Sequence, residues 1–418
     1  MRSVVDRLFR QIGRRSGIDF AVRFADGAEL RIGESRPEFT LIFRKRRAYW
    51  RIAAFGHVGL LEAYFAGEVD LEGSLARAVA AGVAGAYQPK VLVTMANDIH
   101  EFLHANTSWL RAKKNAEFHY ALGPEFYRFW LDDPLMLYTC AYWKEGTRTL
   151  EEAQRNKLEH VGQKVLLKPG DDVVDIGSGF GGFLLYAEER FGVRVTGYNT
   201  TRSQVEHAQR QIEFRRLKNT RAVEGDFRSM DHQYDKVVSI GCLEHAGRDG
   251  LVDLIQAHAR SLKPGGLGLI HFIGHVGYFE TDYFIRRYIF PGGWIPSLAD
   301  VIVEMEKAGL EILDVENLRR HYALTLDAWA ERFDRNWEAI RRLDPHRFDE
   351  RFRRIWRVYL YGCAEMFRAP RGRTHLFQIV FSKGNVSMKS YPMSRSFLYE
   401  QPPAAAPLKE KRSPSRAA

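Results

Sequence analysis

The chain has 418 residues, 45% hydrophobic and 27% charged, with a formal net charge of +10 and three cysteines. That length predicts two domains of ordinary globular composition. Cys140, Cys242 and Cys363 stand far apart in no CxxC pattern, which argues against a disulfide framework or structural zinc and for reduced, cytoplasmic thiols.

No uncharged run reaches the ~20 residues of a membrane span, so any membrane contact is expected to be peripheral. The basic balance favours a polyanionic partner, either nucleic acid or an anionic membrane surface.

Residues 1–105 read as a small α+β domain. Phe20 to Gly33 alternates around an Asp26-Gly27 turn, a hairpin signal. Phe39–Phe43 follows as a strand, Gly59–Gly67 as a short helix, Glu68–Glu72 as an acidic strand and Ala76–Ala86 as a helix or linker. No catalytic constellation appears here. Residues 106–135 form a helical linker rich in aromatics, including Trp109, Phe118, Tyr120, Tyr127 and Trp130.

The third region, 136–385, alternates strand and helix. Helix 150–166 ends at the Lys168-Pro169-Gly170 turn. Strand Val173–Ile176 then runs into Gly177-Ser178-Gly179-Phe180-Gly181-Gly182 and a helix to Phe191. Strands follow at 194–199, 221–226, 234–240 and 267–273, with helices at 203–217 and 249–262 between them. This alternation predicts a doubly wound parallel sheet, with its ligand beyond the strands' carboxyl ends.

An aromatic insertion spans 275–296, and strand 311–318 and two basic helices, 325–342 and 346–367, come next. A last strand, 374–382, reads as an added antiparallel edge. From 386 to 418 Ser, Pro, Ala, Lys and Arg dominate, a composition expected to stay disordered.

The glycine turn suits a nucleotide-like cofactor at a helix N-terminus. A dinucleotide site needs an acidic residue at the end of its second strand, but that strand ends in the neutral Asn199-Thr200. The acid is instead Asp175, just before the glycines, where it repels a pyrophosphate and suits a cation. S-adenosylmethionine carries a sulfonium and an ammonium, and Asp226 after the third strand is placed for its adenine amine. Nucleic acid as substrate is disfavoured. Gly241-Cys242-Leu243-Glu244-His245 stands where base-amino methylases carry an Asn/Asp-Pro-Pro-aromatic tetrad, and no cysteine sits as in cytosine-C5 enzymes.

Several motifs occur together in order: Tyr138-Thr-Cys-Ala-Tyr-Trp143, Leu167-Lys-Pro-Gly170, Val174–Gly182, Glu244-His245, His271-Phe-Ile-Gly274, Tyr288-Ile-Phe-Pro-Gly292 and Phe377–Ser382. Over about 135–384 the chain resembles the cyclopropane-fatty-acyl-phospholipid synthases, a group that includes mycolic acid methyltransferases. The resemblance implies a Rossmann-like class I methyltransferase, a doubly wound sheet with an antiparallel last strand, behind a small N-terminal domain.

It also implies that the cofactor's methyl adds to a cis double bond of an unsaturated phospholipid acyl chain, and that a bound bicarbonate takes a proton as a cyclopropane closes. Bicarbonate would be held by Cys140, Glu244, His271, Tyr322 and the backbone of Ile273. The cofactor would touch Tyr138, Thr139, Gly177, Asn199, Thr200, Gln204, Asp226 and Phe227, with Asp175 and Gly179 in its loop. A homodimer, peripheral on the inner membrane, is expected from the same resemblance.

Cys242-Leu243 stands where the family commonly has Met-Phe, and Ser178 where it commonly has Cys. A methyl-branched or methylene product, or a furan fatty acid precursor, is therefore the alternative fate, ahead of a small-molecule methyltransferase.

Overall fold

The computed structural model describes residues 2–85, 90–106, 108–370 and 372–399, so 400–418 of the expected tail lies outside the described residues. Contacts divide the chain into two units. One is Met1–Leu103 with Thr281–Ile289 and Ala323–Arg373; the other is His104–Glu280 with Phe290–Tyr322 and Thr374–Ala418. The expected cuts at 105 and 135 follow the chain, whereas packing gathers a piece of the insertion and the basic helices onto the N-terminal residues.

In the first unit strands β1 (Phe20–Arg23), β2 (Glu29–Ile32), β3 (Phe39–Phe43) and β4 (Val69–Gly73) lie in the order β2-β1-β3-β4. The Asp26-Gly27 turn closes the hairpin with Phe20 opposite Ile32, and Gly27 takes the φ of 85° that the turn requires. Helix Arg2–Ser16 buries Val5, Phe9 and Ile12 on this sheet. The expected helix at 59–67 is the end of a longer one, Arg47–Phe65, bent at Gly56 (φ 61°).

Helix Glu350–Arg368 is tied on by Arg354, which donates to the carbonyls of Tyr64 (2.8 Å) and Val69 (3.2 Å) and to Asp70 (2.6 Å). Tyr288 from the insertion donates to Glu62 at 2.5 Å. Of the arginines on the two basic helices and between them, Arg341, Arg342, Arg347 and Arg351 are exposed, whereas Arg354 and Arg357 are engaged with Asp70 and Asp334. Arg354→Ala strands two carbonyls and leaves Asp70 with Arg44 alone (2.9 Å), so it should lower unfolding free energy in urea by about 2 kcal/mol. An exposed control, Arg341→Ala, should stay within about 0.5 kcal/mol of the parent.

In the second unit seven strands, β5 (Asp172–Ile176), β6 (Arg194–Asn199), β7 (Thr220–Glu224), β8 (Tyr234–Ile240), β9 (Leu262–His275), β10 (Leu310–Asn317) and β11 (Thr374–Lys383), lie in the order β10-β11-β9-β8-β5-β6-β7. β5 to β9 pair in parallel, and β11 is antiparallel to both neighbours.

Period-2 alternation sends Val173 into one apolar layer, with Leu158, Val161, Phe183 and Ala208, and Val174 into the other, with Leu254, Ile255 and Val301. The sheet is thus covered on both faces, as a parallel sheet must be.

Three expectations are corrected. β11 is not an edge; it is wedged between β9 and β10. Its Leu376, Phe377, Ile379, Val380 and Phe381 are all buried, as a strand covered on both faces requires, while β10 at the edge is mostly half-buried. Residues 263–266, which the sequence offers as the close of helix 249–262 before a strand beginning at 267, belong to β9, because Leu262 already pairs with Tyr234.

The tail, expected to be disordered from 386, is packed to 399. Val386 and Tyr391 rest on the core, Leu398 is buried, and Arg395 pairs with Asp314 at 3.3 Å. Three scattered apolar or aromatic side chains sufficed where composition averaged over the tail hid them. No helix among the described residues is long and apolar enough to cross a membrane.

Candidate active site

β5 ends in Asp175-Ile176, and the turn after it is built from glycines at positive φ: Gly177 (85°), Gly179 (53°) and Gly181 (86°). A Cβ on Gly177 would lie 2.7 Å from the Cβ of Cys242, so the turns after β5 and β8 can approach only because the residue is glycine. Gly181 caps helix Gly182–Phe191.

Asp175 is 1% exposed and its Oδ1 has no hydrogen-bond partner. Burial raises its carboxyl to about 7, against the opposing pull of Lys157. That unsatisfied oxygen behind a glycine turn fits the cationic end of S-adenosylmethionine. Asn199 ends β6 and donates to Gln204 Oε1 (2.9 Å) and to the carbonyl of Gly179 (3.3 Å), fixing the turn from the next strand. Thr200 follows it directly. Asp226, after β7, caps the turn Phe227–Ser229, and its carboxylate is held by Arg228 at 3.0 Å.

The segment carrying Tyr138, Thr139 and Cys140 is supported from below by helix Leu150–Lys164. Gln154 donates to the carbonyls of Leu137 (3.1 Å) and Thr139 (2.9 Å), and Lys157 donates to Thr139 Oγ1 (2.8 Å). Lys157 is wholly buried, and burial lowers its ammonium while the nearby Asp132, Cys140 and Asp175 pull the other way. Asp132 is raised by burial and accepts from the N–H of Leu137 at 2.8 Å.

The sequence reading passed over Gln154, Lys157 and Asp132. Its available signal was two polar residues three apart beside the apolar face of Ala153, Leu158 and Val161.

The residues expected around bicarbonate fall into two bonded groups, Ile273 with Glu244 and Cys140 with Tyr322, on segments that β11 separates. Glu244, in the turn after β8, accepts from the N–H of Ile273 with Oε1 (2.7 Å); its Oε2 is buried without a partner. Burial raises this carboxyl to about 7, while the Ile273 N–H opposes. His271 lies two residues earlier on β9, 1% exposed, with Nδ1 3.1 Å from the Nε2 of Gln378 on β11. An amide nitrogen only donates, so Nδ1 accepts and the ring proton sits on Nε2, which has no partner. Burial holds His271 well below its ordinary pKa, so the ring is neutral.

Ile273 is paired with Leu376, whose carbonyl accepts from the N–H of Leu318 (2.7 Å). The carbonyl of Leu318 accepts from the N–H of Tyr322 (3.1 Å) and lies 4.0 Å from Cys140 Sγ. Both Cys140 and Tyr322 are buried.

An aromatic wall adjoins these groups. Tyr138 packs on Trp130, Tyr127 and His119 at ring distances of 5.1, 5.4 and 5.5 Å, and His119 packs on Phe290 at 4.1 Å. His245 lies 3.3 Å from the hydroxyl of Tyr120 and is lowered by burial to about 4. Among the described residues no group of three or more His, Cys, Asp or Glu is placed to hold a metal ion.

The family sequence model described as mycolic acid cyclopropane synthetase matches residues 107–379, more than half of the chain. This chain belongs to that family. A domain of unknown function matches residues 7–88.

The chain is 33% identical over 386 residues to the cyclopropane-fatty-acyl-phospholipid synthase of Escherichia coli K12, covering 90% of this chain and 93% of that one. It is 29% identical over 377 residues to a probable fatty acid methyltransferase of Pseudomonas putida, covering 86% and 90%. Among solved structures, the mycolic acid cyclopropane synthase CmaA1 complexed with SAH and CTAB superposes with a TM-score of 0.60 at 30% identity, over 65% of this chain and 98% of that one. The enzyme is an S-adenosylmethionine-dependent methyltransferase with a class I fold.

The raised carboxyls tie stability to pH. Glu244 and Asp175 bind protons more tightly folded than unfolded. Their contribution is therefore complete below the ordinary carboxylate values of 4.5 and 3.8, and is lost as pH rises through about 7. Each loses up to about 1.4 kcal/mol per pH unit across that window. Glu244→Gln removes one such group. Calorimetry of the ligand-free protein should show a larger gain in Tm for the variant at pH ~8 than at pH ~5; parallel pH profiles would contradict the assignment.

Proposed function

We propose that the enzyme methylates the cis double bond of unsaturated phospholipid acyl chains and closes a cyclopropane. The observation that carries this reading is the pair of buried, unpartnered atoms at the site, the acceptor Glu244 Oε2 and the donor Nε2–H of His271. A buried acceptor and a buried donor, on residues joined through β9 by the Ile273–Glu244 bond, suit a small oxyanion that keeps one proton, as bicarbonate does. When bound, S-adenosylmethionine supplies an electrophilic methyl group and bicarbonate supplies a base.

Each residue then has a task. Asp175 offers a buried negative charge to the cationic cofactor. Glu244 accepts the anion's proton and so fixes which oxygen stays basic. His271, neutral and held by Gln378, donates, as does Tyr322, while the N–H of Ile273 holds the other oxygen of Glu244.

An alkene is a weak nucleophile, so placing it against the methyl must contribute much of the rate. Tyr120, Tyr127, Trp130, Tyr138 and Phe290 line the site with ring faces. Such faces stabilise positive charge developing on the chain and exclude the water that would trap it. The exposed Arg341, Arg342, Arg347 and Arg351 support docking on an anionic bilayer, at ~1 kcal/mol each near the surface.

Expression in a host rich in unsaturated phospholipids should add one CH₂ per modified acyl chain, with upfield cyclopropane protons in NMR. A gain of CH₂ and two hydrogens would identify a saturated methyl branch, and an isomer with olefinic signals a methylene chain. Unchanged acyl chains with cofactor-loaded protein would refute the reading. His271→Ala should lower turnover by about 10²-fold or more while leaving S-adenosylhomocysteine affinity within about threefold.

A further inference from the structure

We propose that Tyr142, clasped between the imidazoles of His160 and His321, is a positioning residue that sets Cys140 and Tyr322 against each other. This deepens the bicarbonate reading and rests on it, because the two residues matter as a pair only where they hold one small anion.

Tyr142 and His160 stack with ring centroids 4.3 Å apart and planes at 20°; Tyr142 and His321 stack at 4.7 Å and 12°. The three rings come from three places in the chain. Tyr142 follows Cys140 by two residues, His160 sits on helix Leu150–Lys164, and His321 immediately precedes Tyr322. The N–H of Trp143 donates to His321 Nδ1 at 2.9 Å, a second link between the same two segments. Cys140 and Tyr322 already meet at the carbonyl of Leu318, so the clasp and that carbonyl fix the two segments at two separated points.

The outer ring is itself anchored. His160 Nε2 lies 2.7 Å from Glu316 Oε2, and Glu316 and Asp314 lie 2.6 and 3.3 Å from the wholly buried ammonium of Lys164. Burial resists charge on Glu316, yet the His160 bond and the Lys164 ammonium draw its pKa down to about 2. The segment after β11 also reaches this frame, with Tyr391 donating to the Lys164 carbonyl at 3.2 Å.

A buried ionic frame is weak as a source of stability, since well-packed apolar residues often do as well. Holding an imidazole in one orientation is a task that apolar residues cannot perform. A rigid frame of this kind controls ligand geometry through the residues that touch the ligand, much as outer-shell groups orient metal ligands.

The test compares wild type with Tyr142→Ala, Tyr142→Phe and His160→Leu, each as its S-adenosylhomocysteine complex, titrated with isotopically labelled bicarbonate and read by NMR line broadening. Wild type and Tyr142→Phe, which keeps the ring, should bind the anion alike. Tyr142→Ala and His160→Leu should bind it about tenfold more weakly, with S-adenosylhomocysteine affinity by calorimetry essentially unchanged. In turnover assays the Tyr142→Ala loss should shrink as bicarbonate is raised.

Equal bicarbonate affinity in wild type, Tyr142→Ala and His160→Leu overturns the proposal. A wild-type protein that binds S-adenosylhomocysteine but no bicarbonate overturns the anion reading itself, which separates the two failures. If Tyr142→Ala does not fold, His160→Leu decides, since it leaves Tyr142 and His321 in place.

Discussion

A carboxylate oxygen buried without a hydrogen-bond partner is among the most expensive features a fold can carry. The methyltransferase unit carries two, on Asp175 at the end of β5 and on Glu244 beyond the neighbouring β8. Much of the surrounding architecture makes these groups tolerable while leaving one oxygen of each unanswered. Lys157 supplies a buried countercharge near Asp175 and the N–H of Ile273 occupies one oxygen of Glu244. The glycines at 177 and 181 let backbone and helix pack close where side chains would intrude. What remains unsatisfied is a pair of positions matched to ligands rather than to protein.

The same economy governs the aromatic residues. The sequence is 13% aromatic, and the rings around Tyr138 form one connected layer rather than isolated core fillers. A layer of ring faces beside a buried carboxylate is the kind of surrounding that the proposed chemistry on an apolar chain requires. Polar groups within it are few, and most of those are used in holding one another, as His245 and Tyr120 do.

Local features of the chain were legible. β6 and β8 fall on the residues that alternation marked, and the glycine turn stands where its spacing put it. Such features depend on neighbours in sequence, and so does the cofactor argument from Asp175 and the neutral end of β6. The five residues expected around bicarbonate were named only through resemblance, since nothing in spacing connects Cys140 to Tyr322.

What escaped depended on partners far along the chain. The placement of β11 inside the sheet follows from its two-sided burial, and the packing of Tyr391 and Leu398 follows from a groove that other segments build. Helix Arg2–Ser16 is a different kind of miss. Val5, Phe9 and Ile12 recur at helical spacing, and the intervening charges are the other face of an amphipathic helix, not an interruption.

The wedged position of β11 carries a consequence for how the enzyme is made. His271 and Ile273 lie on β9, yet the pairing that completes their strand, and Gln378, whose amide meets His271 Nδ1, arrive only with the last strand, β11. During synthesis at ~5–20 residues per second, more than a hundred residues separate the appearance of His271 from that of Gln378. Through that interval β9 presents an unpaired, apolar edge, the kind of surface that chains add to by mistake. The nascent protein is thus a half-finished sheet with its cofactor turn already made. Its last long strand is the step that closes the open edge of β9.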